Sequence, residues 1–207
     1  DAVRFVGNRS SGRMGFALAE EAARRGADVT VVAANVSLPR RSGITYVDVV
    51  TAEELAAACE EHFESADLLL MAAAVADYRP QDAHAGKLKK DETGTELQLR
   101  LVRTTDVLAT LSARRRPGQL LVGFAAEHGE GAVAYGRDKL TRKDLDAVIV
   151  NDVGAPGIGF DAAQNEVTII TQDTEKHVPR ASKAEVATAI LDAVLSRRSS
   201  SDMKVPR

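Results

Sequence analysis

The chain has 207 residues and a formal net charge of −3, with 44% hydrophobic and 28% charged residues. At about 150 residues per domain this is one globular domain rather than a disordered chain, and a pI of 5.9 gives no global basic field to draw nucleic acid. A single cysteine, Cys59, excludes an internal disulfide and a cysteine-rich zinc site, no apolar run reaches the ~18 residues of a membrane span, and a cytoplasmic location is the expectation.

The chain opens on Asp1-Ala2-Val3, with neither a signal peptide nor an initiator Met, and reads as a piece of something longer. Residues 3–6 are apolar and read as the end of a strand. Asn8-Arg9-Ser10-Ser11-Gly12-Arg13-Met14-Gly15 follows. Then Phe16, Leu18, Ala19, Ala22 and Ala23 recur at helical spacing, and Gly26 closes that helix. Residues 29–33 and 44–50 are strands, and Thr51-Ala52-Glu53-Glu54 is a capping box that opens a helix to about Phe63. Residues 67–73 form a third buried strand. The rhythm breaks after Tyr78: residues 79–94 carry Pro80, Gly86 and Gly94 among charges, the composition of a long functional loop.

Residues 97–102 alternate as a strand and 106–114 form a short helix. Residues 119–125 are a buried strand, 131–142 a helix and 147–150 a strand. A turn-rich loop covers 151–161. Residues 167–171 and 176–179 form a hairpin, and Ser182-Lys183-Ala184-Glu185 is a second capping box starting the last helix to about Arg197. The domain is expected over residues 1–198, with 199–207 a polar tail. This pattern predicts an α/β fold, Rossmann-like, with a mostly parallel sheet, helices on both faces and a small antiparallel hairpin extension.

The segment 8–15 lies between a strand and a helix. A helix N-terminus offers N–H groups and a positive dipole end to anions, and Ser10, Ser11 and Gly12 are small enough to let a phosphate approach the backbone. A plain turn with an N-cap explains the same residues. The spacing fits neither G-x-G-x-x-G nor a Walker loop, and the second strand ends in Ala34-Asn35 without the acid that an NAD site uses. Tyr135 and Lys139 reproduce the Tyr-x-x-x-Lys spacing of short-chain reductases, so an NADP-dependent reductase stands as an alternative; a non-catalytic nucleotide-binding module is another. Lys87-Leu88-Lys89-Lys90 is either a solvated charge run or a lid over a polyphosphate. Ala72-Ala73-Ala74 and Asp77 follow a strand, where ligands of open α/β sheets bind. Phe124 lies at another strand end and could stack on a base. The four histidines lack ligand spacing, and Cys59 among alanines reads as a small buried hydrophobe.

Six segments in order resemble the bacterial phosphopantothenoylcysteine synthetases, the ligase half of bifunctional coenzyme A biosynthesis proteins. They are residues 8–15 (NRSSGRMG), 72–78 (AAAVADY), 87–90 (KLKK), 122–127 (VGFAAE), 139–143 (KLTRK) and Asn151-Asp152. The resemblance implies CTP-dependent ligation of 4'-phosphopantothenate with cysteine through an acyl-cytidylate, with Mg²⁺ or Mn²⁺. It assigns Asn8 to the activated intermediate and Lys87 to the chemistry. Ser10, Ser11 and Gly12 are assigned to a substrate phosphate or the intermediate. The nucleotide falls to Ala72, Ala73, Ala74, Asp77, Lys87, Thr105, Asp106, Val107, Leu108, Phe124, Lys139 and Lys143. It also implies a homodimer with its contact in residues 79–100 and the hairpin, fusion upstream to a phosphopantothenoylcysteine decarboxylase domain, and no flavin, nucleic acid or membrane partner. Two departures are visible. The family's Gly-rich first strand and turn (GGT-x-E) fall before residue 1, and its proline before the aspartate is Thr105 here.

Overall fold

A computed structural model describes residues 1, 3–89, 95–127, 131–152 and 162–202. In chain order the elements are α1 (Arg13–Arg24), β1 (Thr30–Ala34), β2 (Thr45–Val49), α2 (Ala52–Phe63), β3 (Leu68–Met71), β4 (Tyr78–Pro80), β5 (Leu101–Arg103), α3 (Val107–Ser112), β6 (Leu120–Glu127), α4 (Ala132–Arg142), β7 (Ala147–Asp152), β8 (Gln164–Thr171), β9 (Glu175–Ser182) and α5 (Lys183–Asp202). The fold is the mixed α/β architecture expected. A five-stranded sheet has the order β3-β6-β7-β8-β9, parallel through β3, β6 and β7 and antiparallel from β7 to β9. β1 and β2 form a separate parallel pair, and β4 and β5 an antiparallel ribbon.

The continuous apolar runs of β6 and β7 are explained by helices on both faces. Leu121 and Ala125 of β6, with Val148 and Val150 of β7, pack beneath α2, α3 and α4 against Leu55, Cys59, Phe63, Leu111 and Leu140. Leu120, Val122, Ala147 and Ile149 face the other way, onto Leu18 of α1 and Val186, Ile190, Leu191 and Val194 of α5. Each such aliphatic side chain contributes about 1.5–3 kcal/mol through burial. Cys59 belongs to this core, and burial pushes its thiol up to about 11, so it is an inert hydrophobe. Gly136 lets α4 lie close on the sheet: a Cβ there would meet Val150 Cγ2 at 2.5 Å and Ile170 Cδ1 at 2.8 Å.

The helix termini follow their sequence signals. The Thr51 hydroxyl accepts from the Glu54 N–H at 3.1 Å, and Glu54 Oε2 accepts from the N–H of Thr51 at 3.4 Å and of Val50 at 2.7 Å. Ser182 and Glu185 repeat the reciprocal pair at 3.2 Å and 2.9 Å. Gly26, at φ +86°, closes α1: its N–H reaches Ala23 O, and the next N–H, of Ala27, reaches Ala22 O.

Several expectations need correction. Residues 3–6 form no strand. The N–H groups of Val3 and Arg4 donate to Asp1 Oδ1, a local turn that competes with extended pairing, and Phe5 is 88% exposed. The expected loop begins instead with β4, an edge strand where Pro80 costs no ladder bond; residues 90–94 of that segment lie outside those described. The alternating stretch 97–102 pairs only at Leu101–Arg103. The last helix runs past Arg197 to Asp202, while 203–207 and most of the expected loop at 151–161 lie outside the described residues.

Candidate functional site

The parallel strands β3, β6 and β7 end on one side of the sheet, and a cleft opens there. It is lined by the turn and first residues of α1 (Ser10 to Gly15), by Ala72, Ala73 and Ala74 after β3, by Phe124, Ala125 and Ala126 of β6, by Asn151 of β7, and by Asn165 and Lys183. This is where open α/β sheets bind ligands. Gly12 takes φ +73°, and a Cβ there would lie 2.8 Å from Val36, so only glycine shapes this turn. The Ser10 hydroxyl accepts from the Gly12 N–H at 3.3 Å. No acidic residue occupies the first turn of α1, which leaves its positive end facing the cleft.

The wall beyond β6 holds the expected cations. Lys139 Nζ donates to the Phe124 carbonyl at 2.6 Å. Lys143 Nζ pairs with the Asp106 carboxylate at 2.8 Å, joining the end of α4 to the start of α3. Burial alone would raise the Asp106 carboxyl. The hydrogen bonds from Lys143 and from the Ala109 N–H outweigh it and hold the carboxyl below its ordinary value. Val107 and Leu108 are buried in the core, so any role at the site falls to their backbone; Thr105 is exposed beside them.

The other expected residues lie at the rim. Asn8 Nδ2 donates to Val75 O at 2.9 Å, and Thr104 secures the same segment through Ala76 O at 2.6 Å and Asp77 O at 3.0 Å. Asn8 and Asp77 are exposed. So is Lys87, which lines no part of the cleft. Its neighbour Leu88 is tied to the chain start, by its N–H to Asp1 and by its carbonyl to Arg4. The structure therefore gathers Ser10, Ser11, Gly12, Ala72, Ala73, Ala74 and Phe124 at the cleft, with Lys139, Lys143 and Asp106 behind it. Lys90 lies outside the described residues. Tyr135 is 46% exposed and lines no part of the cleft, while its partner in the reductase pattern, Lys139, sits on the Phe124 carbonyl.

Two lining residues escaped the sequence reading, Asn165 (3% exposed) and Lys183 (9% exposed). Asn165 stands at a register shift between β8 and β9, a bulge of the kind that re-aims a side chain. The available signal was Lys183 itself. It occupies the first position of a helix, where the dipole favours acids over a cation. Asn151 Nδ2 donates to Asn165 Oδ1 at 3.3 Å, and Asn165 Nδ2 reaches the Met14 sulfur at 3.8 Å. Among the described residues Asn151 Oδ1 is buried without a hydrogen-bond partner, which costs about 1–3 kcal/mol.

No three His, Cys, Asp or Glu side chains come together among the described residues as a metal cage.

Comparison with known proteins gives the family. Residues 1–197 match the DNA/pantothenate metabolism flavoprotein C-terminal domain. The chain is 40% identical over 198 residues to the coenzyme A biosynthesis bifunctional protein CoaBC of Escherichia coli, covering 95% of this chain and 48% of that protein. With CoaBC of Mycobacterium tuberculosis the identity is 42% over 206 residues, covering 95% and 49%. The chain thus spans about half the length of the curated relatives it matches. Among solved structures, the C-terminal domain of a CoaBC superposes with a TM-score of 0.77 at 34% identity, covering 94% of this chain and 86% of that one. A Cab2 variant in complex with phosphopantothenate-cysteine superposes with a TM-score of 0.75, covering 96% and 81%, and at 17% identity it shows the shared fold. The chain belongs to the DNA/pantothenate metabolism flavoprotein C-terminal domain family, and it corresponds to the C-terminal half of CoaBC.

Proposed function

We propose that this chain is a CTP-dependent phosphopantothenate–cysteine ligase domain acting in coenzyme A biosynthesis. The observation that carries the reading is the convergence of an uncapped helix start, the small residues Ala72 to Ala74 and the Lys139/Lys143 pair around the ends of three parallel strands. A phosphoanhydride needs donors and cations placed where charge develops, and backbone that can approach closely. The Cab2 neighbour is described with phosphopantothenate-cysteine bound, the product class assigned here.

The reaction runs in two displacements. A carboxylate oxygen of 4'-phosphopantothenate attacks the α-phosphorus of CTP, the bond to the β-phosphate breaks, and pyrophosphate leaves. The amine nitrogen of cysteine then attacks the acyl carbon, the carbon–oxygen bond to phosphate breaks, CMP leaves, and the nitrogen loses a proton to form the amide. Mg²⁺ or Mn²⁺ would supply further positive charge against the triphosphate, beside Lys139 and Lys143. Phe124 and the segment Thr105 to Leu108 hold the nucleotide together with Lys139 and Lys143. Ser10, Ser11 and Gly12 meet a phosphate or the intermediate, and Asn8 offers it an uncharged donor. Lys87 and Asp77 act from the rim. The domain works in the cytoplasm, beside an upstream decarboxylase domain. A second copy covers residues 79–100 and the β8–β9 hairpin; Leu97 and Leu99, just before β5, and Leu101 within it are exposed at every second position.

Incubation with CTP, Mg²⁺, 4'-phosphopantothenate and cysteine should release pyrophosphate and CMP, each requiring phosphopantothenate. Thermal stabilisation by NADPH with none by CTP overturns the reading in favour of a reductase.

A further inference from the structure

Residues 72–77 leave β3 beside the cleft and enter no strand or helix until β4 begins at Tyr78. Outside a regular element, their position rests on individual hydrogen bonds. Three successive carbonyls take donors from distant parts of the chain. Val75 O accepts from Asn8 Nδ2 at 2.9 Å, Ala76 O from the Thr104 hydroxyl at 2.6 Å, and Asp77 O from the Thr104 N–H at 3.0 Å. Thr104 therefore supplies two of the three. Threonine hydroxyls often bond their own turn, whereas this one reaches back 28 residues.

Thr104 stands at the base of the β4–β5 ribbon, one position beyond the Tyr78–Arg103 pair, and its N–H extends that ladder by a bond. Asp77 lies on one side of this junction. On the other the chain runs directly into Thr105 to Leu108, where Asp106 caps α3 and pairs with Lys143. A two-stranded ribbon is marginal by itself, and this one leaves Tyr78 and Leu101 exposed. The half-buried hydroxyl fastens the ribbon base to the segment that follows β3.

We propose that Thr104 is a positioning residue for the nucleotide. Without touching it, Thr104 fixes the Asp77 segment against the turn from Thr105 to Leu108, so that both meet CTP in one preset geometry. This rests on the ligase reading above, which gives CTP to both segments. Preplacement spares the nucleotide the cost of ordering them.

Titration of CTP alone into the full chain reads the effect. Thr104→Val keeps the β-branched shape, removes the donor and should weaken CTP roughly tenfold, the size of one lost hydrogen bond. The KM for cysteine should not change, and Thr104→Ser, which keeps the hydroxyl, should bind CTP almost as the unsubstituted chain does. Thr104→Val and Asp77→Ala should be non-additive in CTP affinity, because Thr104 acts through the segment that carries Asp77. In the unsubstituted chain the Thr104 amide should be protected from exchange before CTP is added. A lower urea midpoint for Thr104→Val with CTP affinity unmoved would make the threonine merely structural and overturn the proposal. So would equal weakening by Thr104→Ser, or amide protection acquired only with CTP. Absence of CTP binding to the unsubstituted protein would instead overturn the ligase reading, and the positioning role with it.

Discussion

The floor of the cleft and its rim are built on different physics. The floor rests on β6, β7 and β8, whose inward side chains are sealed between helices; Leu121, Val122, Val148, Ile149 and Ile170 are all at 0% exposure. The rim consists of residues 3–9, the segment from Val75 to Lys89 and the β4–β5 ribbon. It is held by hydrogen bonds such as Asn8 to Val75 O and Thr104 to Ala76 O, and it leaves Phe5, Tyr78, Leu97 and Leu99 in solvent. Groups that must be pre-placed belong on the floor, where packing fixes them. Groups that must come and go with substrate belong on the rim, where few apolar contacts oppose movement.

Substitutions that load one region and spare the other test this contrast. The largest effect is expected from Ile149→Ala, which should lower stability by about 2–5 kcal/mol through the lost burial and the cavity left. Leu99→Ser on the rim should change it by no more than about 0.5 kcal/mol. Urea unfolding of both variants gives the comparison. An equal loss for Leu99→Ser would show that the stretch before β5 is covered in solution.

Lys87→Ala comes next. If this lysine reaches phosphate only in a closed site, its removal should raise the barrier to turnover by about 2–4 kcal/mol while leaving the unfolding midpoint alone. Amide protection over residues 79–89 should rise when CTP and phosphopantothenate bind. High protection without ligand would mean that the rim is as fixed as the floor. Lys90→Ala should have a smaller effect, an expectation that rests on the spacing of the three lysines in the sequence.

Asn8→Asp should impair turnover while the thermal shift produced by CTP persists, because a carboxylate beside the intermediate's oxygens repels them without removing a nucleotide contact. Unchanged turnover would place Asn8 in a structural role only, holding Val75.

Lys143→Ala should weaken CTP more than CMP, as read by titration calorimetry. The pairing of Lys143 with Asp106 sharpens this expectation, since the variant also leaves a carboxylate unneutralised. Asp106→Asn in the same background should recover part of the loss. Equal weakening of both nucleotides would point to disruption of the α3–α4 contact.

The smallest effect concerns pH. Hydrogen bonds from Arg24 and then Arg25 hold the Glu21 carboxyl at about 2, below its ordinary 4.5. Arg25 also reaches Thr188 O and Asp192, so the cluster ties α1 to α5. A depressed carboxyl contributes stability that is complete above 4.5 and declines as pH falls toward 2. Glu21→Gln should flatten that acid limb in urea unfolding measured between those values. An unaltered slope would show that the cluster contributes nothing in solution.

Element types were legible because they depend on local order. The Thr51/Glu54 and Ser182/Glu185 boxes, the glycine closing α1 and the uninterrupted apolar runs of β6 and β7 each state their structure within a few residues. Extent was less legible where partners decide it. Residues 3–6 and 97–99 have strand composition, yet a strand forms only against a neighbour, and no strand is paired with them among the described residues; the ribbon ends at Arg100, whose carbonyl accepts from the Gln81 N–H at 2.8 Å. The site divided in the same way. The turn at Ser10 to Gly12, Ala72 to Ala74 and Phe124 could be read from their positions after strands and before a helix. Asn165 and Lys183 could not, because they reach the cleft through the antiparallel return of β8 and the start of α5.

By itself the sequence determined the α/β class, the order of strands and helices, the helix caps and the anion-ready turn, since these rest on periodicity and on backbone preferences of neighbouring residues. Tertiary structure alone decided that the parallel sheet divides, with β1 and β2 apart from β3, that Lys143 is matched to Asp106, and that Asn151, Asn165 and Lys183 share one floor. Those contacts join residues up to tens of positions apart, and no local pattern encodes a distance that only the packed sheet and its two helical layers establish.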